Sequence, residues 1–429
     1  MGKGLLRTEV LAILLLAGVA CAQPPLPAAQ TPTAAAGQPP GPTPASTIPA
    51  FDTDRVMATI RFLAGEIGTR PAGSEASRRA AEHLVAQLRV LGYRAETQPF
   101  TFREYVDRGS ELRVVGGRPV SANTLRDSPA GSVRGLLAAA GLGRPEDVAA
   151  ADLRGKVALV QRGAITFREK VRNAAAAGAV GVVVYNNQPG NFRGTLGEPG
   201  PVPAVSISQE DGTALAEQLK SDRLEVELAV RAEVRQVADQ NVVAVRPGTS
   251  GRVVIIGGHY DSVPDGPGAN DNASGTAISL ELARILAASG YPHELRVILF
   301  GAEENGLIGS AEYVRTLDEE TKRRVIAMLN LDMVGVGERL RLGGSLELVN
   351  LAVELAANLG LRPERLSSDQ AGGSDHVNFL RENIPALFFW RPDDPAYHTA
   401  SDRPENVEPA RVEEVGRLAM AVLEALARR

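Results

Sequence analysis

Cysteine is almost absent from this sequence. The one cysteine among the 429 residues is Cys21, which directly follows an apolar run near the N-terminus. The globular part of the chain that follows can therefore form no internal disulfide and has no thiolate for catalysis or metal binding. Any role of Cys21 is restricted to processing of the N-terminal segment.

An excess of basic residues is also missing. The formal net charge is −5, so the chain has no positive field that would attract nucleic acid, and we expect no nucleic-acid partner. Aromatic residues make up only 4% of the chain, with one tryptophan, so they do not indicate which side chain a binding pocket would prefer. Hydrophobic residues (44%) and charged residues (23%) are typical of a globular protein, and the length predicts about two domains.

The N-terminal segment has the pattern of a secretory signal. Lys3 and Arg7 precede the apolar run from Val10 to Ala20, which is too short to span a membrane but suits the core of a signal peptide. We predict a signal peptide over residues 1–22 and export of the mature chain. Its destination is then the periplasm, the cell surface as a lipoprotein, or the extracellular medium.

Two interpretations of Cys21 remain open. The sequence GVAC resembles a lipoprotein cleavage box, although Gly18 stands where such boxes usually carry an aliphatic residue. A lipid on Cys21 would be the only link of the chain to a membrane. The alternative is ordinary cleavage after Ala20 or Ala22. Residues 23–50, rich in proline, alanine and threonine, are predicted to form an extended tether.

The ordered chain is expected to begin near Phe51. A helix is then predicted between Ser74, which caps its N-terminus, and Gly92, which ends it. Further along, residues 155–187 have the pattern of a strand, an Arg-Gly turn, an alanine-rich helix and a second strand. This pattern resembles the protease-associated domain, which is inserted in several secreted peptidases and receptors. We predict such a smaller, β-rich α/β domain over residues 112–237. The alternative is a generic α/β unit without a binding role.

Regularly spaced apolar runs rich in β-branched residues follow this insertion and alternate with helical stretches. Such runs are typical of strands that are buried on both faces in a parallel sheet. We predict an α/β fold with a mostly parallel central sheet and helices on both faces, formed by residues 51–111 and 238–429. The runs are NVVAV, RVVIIGG, LRVILFG, IAMLNLDMVG and PALFFW.

Polar residues stand where four of these runs end. Ligands of open α/β sheets bind at the carboxyl ends of the strands, so we expect these side chains to meet. Carboxylates packed so closely would repel one another and raise each other's pKa unless a cation lies among them. The residues are His259 and Asp261, Glu303 and Glu304, Asp332, and Tyr397 and His398, with Asp271 in a glycine-rich loop before a helix expected to start at Asn272.

Imidazole and carboxylate ligands without thiolate suit zinc, cobalt or manganese, and zinc is the usual choice of hydrolases. The number of ligands suits two ions better than one. Glu303 is then left over as a general base, which takes a proton from the attacking water and passes it to the leaving amine. The two ligand sets are His259 with Asp332 and Glu304 with His398, and Asp271 bridges the two ions.

The motifs HYDS, GANDNASG, FGAEENGLIGS, NLDMVG, GGSDH and YHTASD stand in this order along the chain. Together they resemble the co-catalytic dizinc aminopeptidase family, which is related to glutamate carboxypeptidase and the transferrin receptor. The resemblance spans residues 51–111 and 238–425, and it implies a zinc exopeptidase fold and peptide substrates with a free N-terminus. It also implies the ligands and the base already selected, with Asp261 orienting a histidine ligand and Tyr397 stabilising the oxyanion. We therefore predict an exported dizinc aminopeptidase in which metal-activated water is the nucleophile.

Other polar residues are assigned to less direct roles. Residues 374–376, Ser-Asp-His, are expected to shape the substrate pocket or to hold a loop without binding metal. Gly373 stands where the secreted single-domain relatives carry an arginine, which leaves open how the substrate end is held. His83 and His293 are expected on the surface.

Several alternative functions remain open. A carboxypeptidase of the same fold needs a cationic clamp, for which Arg381 and Arg391 are candidates. A glutaminyl cyclase-like transferase uses a single zinc, and other dizinc exopeptidases or deacylases have different later motifs. A non-catalytic binding protein would keep the fold without the ligands. In a peptidase, the inserted domain is expected to form one wall of the cleft and to limit access to peptides.

Overall fold

The computed structural model describes residues 49–367 and 373–429. The predicted signal peptide, Cys21 and nearly all of the predicted tether lie outside these residues. The first helix begins at Thr53, close to the expected start at Phe51. Within the described ranges, no helix is long and apolar enough to cross a membrane.

Helices and strands alternate along most of the chain, as an α/β fold requires. The helices are α1 Thr53–Ile60, α2 Glu75–Val90, α3 Pro145–Ala150, α4 Phe167–Ala176, α5 Gln209–Gln218, α6 Ser274–Ala288, α7 Ile308–Arg315, α8 Glu319–Arg324, α9 Leu346–Asn358, α10 His376–Arg381 and α11 Pro409–Ala427. The strands are β1 Arg94–Val114, β2 Pro119–Val120, β3 Ala122–Thr124, β4 Gly131–Ala139, β5 Val157–Gln161, β6 Gly181–Tyr185, β7 Ala204–Ile207, β8 Glu225–Arg246, β9 Val253–His259, β10 Glu294–Phe300, β11 Val325–Leu331, β12 Arg341–Gly344, β13 Glu364–Arg365 and β14 Ala386–Trp390.

Local signals at the ends of α2 agree with the prediction. The side chain of Ser74 accepts a hydrogen bond from the backbone N–H of Ser77, as an N-cap does. Gly92 follows the end of the helix with a φ of 83°, a conformation that is easy for glycine and strained for other residues.

The peptidase part of the chain contains a mixed sheet with a parallel centre. Its strand order is β13-β12-β14-β11-β9-β10-β8. Strands β14, β11, β9 and β10 are parallel to one another, as predicted. The run NVVAV, however, lies in β8, which pairs antiparallel with β10. The short strand β12 is also antiparallel to its neighbour β14.

Helices cover both faces of this sheet because its strands bury apolar residues on both sides. On β9, Val254 and Ile256 pack into a core with α1, α2, α6, α9 and α11. Val253 and Ile255 point to the opposite face and pack against residues of α7 and α10. Consecutive residues of a strand point to opposite faces. Because both faces of β9 are buried, apolar residues stand at consecutive positions along it.

The inserted domain contains the four strands β4, β5, β6 and β7, which are parallel to their neighbours in this order, and the helices α4 and α5. It is joined to the peptidase sheet by a ribbon, the long antiparallel pair of β1 and β8. This pairing runs from Arg94↔Val245 to Val114↔Val226, with one irregularity between Asp107 and Ser110. Both predicted boundaries, residues 112 and 237, fall inside these continuous strands.

Candidate metal centre

The predicted site residues lie together at the carboxyl ends of the parallel strands. His259 is the last residue of β9. Glu303 and Glu304 follow β10 in a tight turn, and Asp332 directly follows β11. His398 is brought to the same place by the loop after β14. Adjacent strands are about 4.8 Å apart, so residues at neighbouring strand ends are within reach of one shared ion or pair of ions.

Asp271 lies between the two histidines. Its Oδ1 is 3.2 Å from Nε2 of His259, and its Oδ2 is 3.2 Å from Nε2 of His398. His398 Nε2 is also 3.1 Å from Oε2 of Glu304. One carboxylate thus presents one oxygen to each side of the site, which is the arrangement of a ligand that bridges two cations.

The other side of the site is formed around His259. Its Nε2 lies 3.3 Å from Oδ1 of Asp332 and 3.9 Å from Oε2 of Glu303. Among the residues that the structure describes, two sets of three side chains can hold a metal ion, because the donor atoms within each set lie within 4.8 Å of one another. They are His259, Asp271 and Glu304, and His259, Glu303 and Asp332.

The charges of this site are poorly balanced without a cation. Burial raises the pKa of Glu303 well above its usual range and raises that of Glu304 to about 7. Hydrogen bonds to Asp271 and Glu304 raise the pKa of His398 to about 10. Burial opposes ionisation of Asp271, but hydrogen bonds from His259 and His398 outweigh it and lower the pKa to about 2. This excess of carboxylates around two histidines fits a site that holds a metal cation.

The donor chemistry fits zinc. The buried Oε1 of Glu304 has no hydrogen-bond partner within the described ranges, although buried carboxylate oxygens are normally satisfied. Imidazole nitrogens and carboxylate oxygens in this proportion are the ligands of hydrolytic zinc sites, and no cysteine is present among them.

Asp261 connects two of the strand ends. Its Oδ1 lies 3.4 Å from Nδ1 of His259, the nitrogen that faces away from the site. Its two carboxylate oxygens also accept hydrogen bonds from the backbone N–H groups of Glu303 and Glu304, at 3.2 and 3.3 Å. Asp261 thus lies where it can orient the imidazole, a role that stays a prediction, and it also fixes the turn after β10.

The loop that carries Asp271 is held from one side by Asp402, in the motif YHTASD. The oxygens of Asp402 accept hydrogen bonds from the backbone N–H groups of Asn270 and Asp271, at 2.7 and 3.0 Å. Gly268 precedes them with a φ of 62°, and a Cβ at this position would lie 2.3 Å from the backbone oxygen of Asp271. The following helix α6 begins at Ser274, two residues later than expected, because Asp271 and Asn272 are not helical.

The same loop is held from the other side by Arg70, which is completely buried. Its guanidinium donates hydrogen bonds to five backbone carbonyls. Sequence reasoning did not select Arg70 or Asp402, since their contacts are with backbone groups that no sequence pattern reveals. The acceptors are Tyr260, Leu63, Gly68, Pro267 and Gly268, at 2.6 to 3.0 Å.

The carboxylates of the site line a cleft of about 600 Å³. Part of its wall is apolar and is formed by side chains that follow β11 or lie on and after β14. Arg126 of the inserted domain also lines the cleft, as does Gly373. The apolar residues of this wall are Met333, Phe388, Trp390 and Pro392, and Leu307 lines the cleft near the turn after β10.

Comparison with known proteins identifies the family. Residues 241–423 match peptidase family M28, and residues 123–215 match the PA domain. Aminopeptidase YwaD of Bacillus subtilis is 35% identical over 396 residues, which cover 87% of this chain and 84% of the relative. The chain belongs to peptidase family M28. The predictions of a dizinc aminopeptidase family with an inserted protease-associated domain, of the fold, and of a zinc-dependent aminopeptidase are thereby confirmed.

Two solved structures of aminopeptidases are similar to this chain over most of its length. An aminopeptidase from Aneurinibacillus sp. strain AM-1 is 36% identical, with a TM-score of 0.80 over 88% of this chain and 94% of that one. A zinc aminopeptidase from Bacillus subtilis is 32% identical, with a TM-score of 0.66 over 88% and 95% of the two chains.

Tyr397 of this M28 peptidase stacks on His398, with ring centroids 3.7 Å apart, and its side chain is half exposed to the cleft. Burial of its inner part and the neighbouring carboxylates raise its pKa, so the hydroxyl keeps its proton at neutral pH. The hydroxyl is therefore available as a hydrogen-bond donor in the cleft, and its role in stabilising the oxyanion stays a prediction.

Residues 374–376 of the M28 peptidase are buried beneath the cleft. Ser374 Oγ accepts a hydrogen bond from Asn330 Nδ2 at 2.7 Å, and burial raises the pKa of Asp375 to about 7. His376 stacks on Phe388, whose ring lines the cleft, with centroids 4.3 Å apart. This placement agrees with the expected role in shaping the pocket.

Four other predicted residues lie away from the cleft of the M28 peptidase. Arg391 is buried and donates to the carbonyls of Gly337 and Glu338, and Arg381 donates to Asn378. The prediction that His293 is a surface residue is wrong. His293 is buried, with Nε2 2.9 Å from the carbonyl oxygen of Leu426. His83 is partly exposed and stacks on Phe62.

Proposed function

We propose that this M28 peptidase holds two zinc ions and removes N-terminal residues from peptides, with Glu303 as the general base. The observation that carries the proposal is the position of Asp271, with one carboxylate oxygen directed to each histidine. His259 and Asp332 would complete one metal site, and Glu304 and His398 the other. This arrangement supports two ions over the single zinc of a cyclase-like enzyme.

Zinc at these residues would lower the pKa of the water that attacks the peptide carbonyl and would polarise that carbonyl. Glu303 lies beside this position, is nearly buried and faces the cleft. It accepts the proton of the attacking water and returns it to the amine that leaves. Tyr397 donates its hydroxyl proton in a hydrogen bond to the oxygen that becomes negative in the transition state.

The carboxylates of the cleft support attack at the amino end of a peptide. A free α-amine is positively charged and is attracted by the acidic residues around the metal sites, whereas a blocked amine is not. The two arginines considered as a clamp for a carboxypeptidase, Arg381 and Arg391, do not line the cleft. The first observation favours aminopeptidase activity over carboxypeptidase activity. The second removes these two candidates for a clamp and leaves Arg126 as the one arginine or lysine that lines the cleft in the described ranges.

The experiment combines metal analysis with one substitution. The full chain is expected to bind two zinc ions and to hydrolyse leucine p-nitroanilide but not its N-acetyl derivative. Glu303→Gln is expected to keep both ions and to lower kcat by about 10²- to 10⁴-fold, since it removes only the base. Asp271→Ala is the matched control and is expected to lose zinc as well. Near-normal turnover by Glu303→Gln would refute the assignment of the base.

Export of the chain is a further part of the proposal. It is supported by the charged and apolar segment from Lys3 to Ala20, which lies outside the described residues. Mass spectrometry of the mature protein would locate the cleavage and would show whether Cys21 carries a lipid.

A further inference from the structure

We propose that Arg126 of the inserted domain binds a carboxylate carried by the residue that follows the scissile bond. The inference rests on the proposed aminopeptidase function. It makes short peptides, and above all dipeptides with a free C-terminus, the preferred substrates. An aspartate or glutamate side chain at the second position of a longer peptide presents the same group, a carboxylate, to Arg126.

The backbone of Arg126 is fixed while its side chain is exposed. Its N–H donates to the carbonyl of Gly194, and its own carbonyl accepts from the N–H of Leu196, both at 2.9 Å. The neighbouring Leu125 is fully buried in the core of the inserted domain. A rigid attachment of this kind directs the flexible side chain toward one region.

That region is the turn that carries the base. Nη2 of Arg126 lies 3.4 Å from the carbonyl oxygen of Asn305, the residue after Glu304. Arg126 makes no ion pair with any carboxylate that the structure describes, so most of its N–H donors are available to a ligand. Of the cleft-lining residues in the described ranges, it is the one arginine or lysine.

The strand order gives the cleft two different ends. Met333, Phe388 and Trp390 come from β11 and β14, whereas Arg126 lies at the turn after β10. Strands β10, β9, β11 and β14 are consecutive neighbours, so two spacings of about 4.8 Å separate β10 from β11, and three spacings, roughly 14 Å in all, separate β10 from β14. The metal-site residues lie between them. The apolar end suits the side chain of the first residue, and the leaving part of the peptide then extends toward Arg126.

The distances suit a short substrate. An extended chain advances about 3.3–3.6 Å per residue, so the C-terminal carboxylate of a dipeptide lies one residue beyond the scissile bond, within the same cleft. A longer peptide carries an amide at that point, which gives the guanidinium no charge to bind.

The test compares matched substrates with the zinc-loaded full chain. The free acid Leu-Gly is compared with Leu-Gly amide, and Leu-Glu amide with Leu-Gln amide. In the wild type, kcat/KM is expected to favour each charged member about three- to tenfold, the effect of one partly exposed charge pair. Arg126→Gln should bring both ratios close to one, and Arg126→Lys should keep part of the preference. Arg113→Gln, an exposed arginine of β1 that does not line the cleft, should keep both ratios.

The two pairs of substrates distinguish the sources of the carboxylate. A preference in the first pair alone means that the C-terminus is recognised, and one in the second pair alone means that an acidic side chain is recognised. Equal ratios in the wild type and in Arg126→Gln would overturn the proposal. If the wild type does not hydrolyse leucine p-nitroanilide, the aminopeptidase function fails instead. Calorimetric affinities of Leu-Gly and its amide, in wild type and Arg126→Gln, then decide the role of Arg126.

Discussion

Replacement of Arg70 by methionine should destabilise the protein and weaken its metal site together. The guanidinium is fully buried and donates hydrogen bonds to five backbone carbonyls, two within residues 63–68 and three within residues 260–268. Two of them, those of Pro267 and Gly268, belong to the loop that carries Asp271. Methionine has no donor, so all five acceptors would lose this hydrogen bond. In the part of the chain that the structure describes, only the carbonyls of Leu63 and Gly268 would keep a second donor, the backbone N–H groups of Gly68 and Ala273.

The magnitude follows from the number of acceptors. Each lost hydrogen bond costs about 1 kcal/mol net, so the free energy of unfolding should fall by about 5 kcal/mol. Unfolding entropy is about 2.1 cal/mol/K per residue, or about 0.8 kcal/mol/K for the roughly 380 residues from 49 to the C-terminus. The expected decrease in Tm is therefore about 6 °C. The zinc dissociation constant should rise about 10- to 100-fold, as is usual when a group that supports a ligand is removed.

Thermal melts and zinc titrations would measure both effects. Arg70→Lys keeps three donors and should lose about half as much stability as Arg70→Met. Arg61→Met, an exposed arginine nearby, is the control and should melt within about 1 °C of the wild type. If Arg70→Met melted as the control does, or lost stability without any change in zinc affinity, our account of Arg70 would be refuted.

Two further predictions concern buried groups around the site. Burial raises the pKa of Asp239 to about 6; its native form therefore keeps a proton that the unfolded chain loses near pH 4, and the resulting stability is lost as pH rises through 6. Urea unfolding should show Asp239→Asn gaining up to about 3 kcal/mol relative to the wild type between pH 4 and 7, and a constant difference would contradict this. Gly268→Ala would place Cβ 2.3 Å from the oxygen of Asp271 and 2.7 Å from Cβ of Ser262. It should cost about 3 kcal/mol or more and weaken zinc binding, whereas Gly251→Ala, also at positive φ but in open space, should cost only about 1 kcal/mol; equal losses would show that the close approach is unimportant.

The residues at strand ends could be located from the sequence because each follows a distinct apolar run. His259 ends such a run, Asp332 directly follows another, and Glu303 lies three residues after the end of a third. In a parallel sheet the ends of the runs meet at one edge, so order along the chain becomes proximity in space. The same reasoning could not show that β8 is antiparallel, because its apolar pattern does not depend on strand direction.

The residues that hold the site could not be located in this way. Arg70 and Asp402 hold the loop that carries Asp271 through backbone groups that are 130 residues or more away from them in sequence. Neither residue belongs to a periodic pattern of apolar residues. Arg126 lies in a separate domain, and only the folded chain brings it to the turn after Glu304. His293 follows a Tyr-Pro pair that is typical of an exposed turn, but the end of α11 packs over it and its carbonyl at Leu426 lies within hydrogen-bonding distance.

The ribbon of β1 and β8 has a consequence for how such a chain arises. The chain enters the inserted domain along β1 and leaves it along β8. These two strands are neighbours and pair at Phe102↔Val237 and Glu104↔Arg235. A two-residue hairpin turn in place of everything beyond them would leave both strands in register. A gene that encodes a short hairpin at this point can therefore gain or lose the whole domain in a single recombination event, and the catalytic sheet beneath is inherited unchanged.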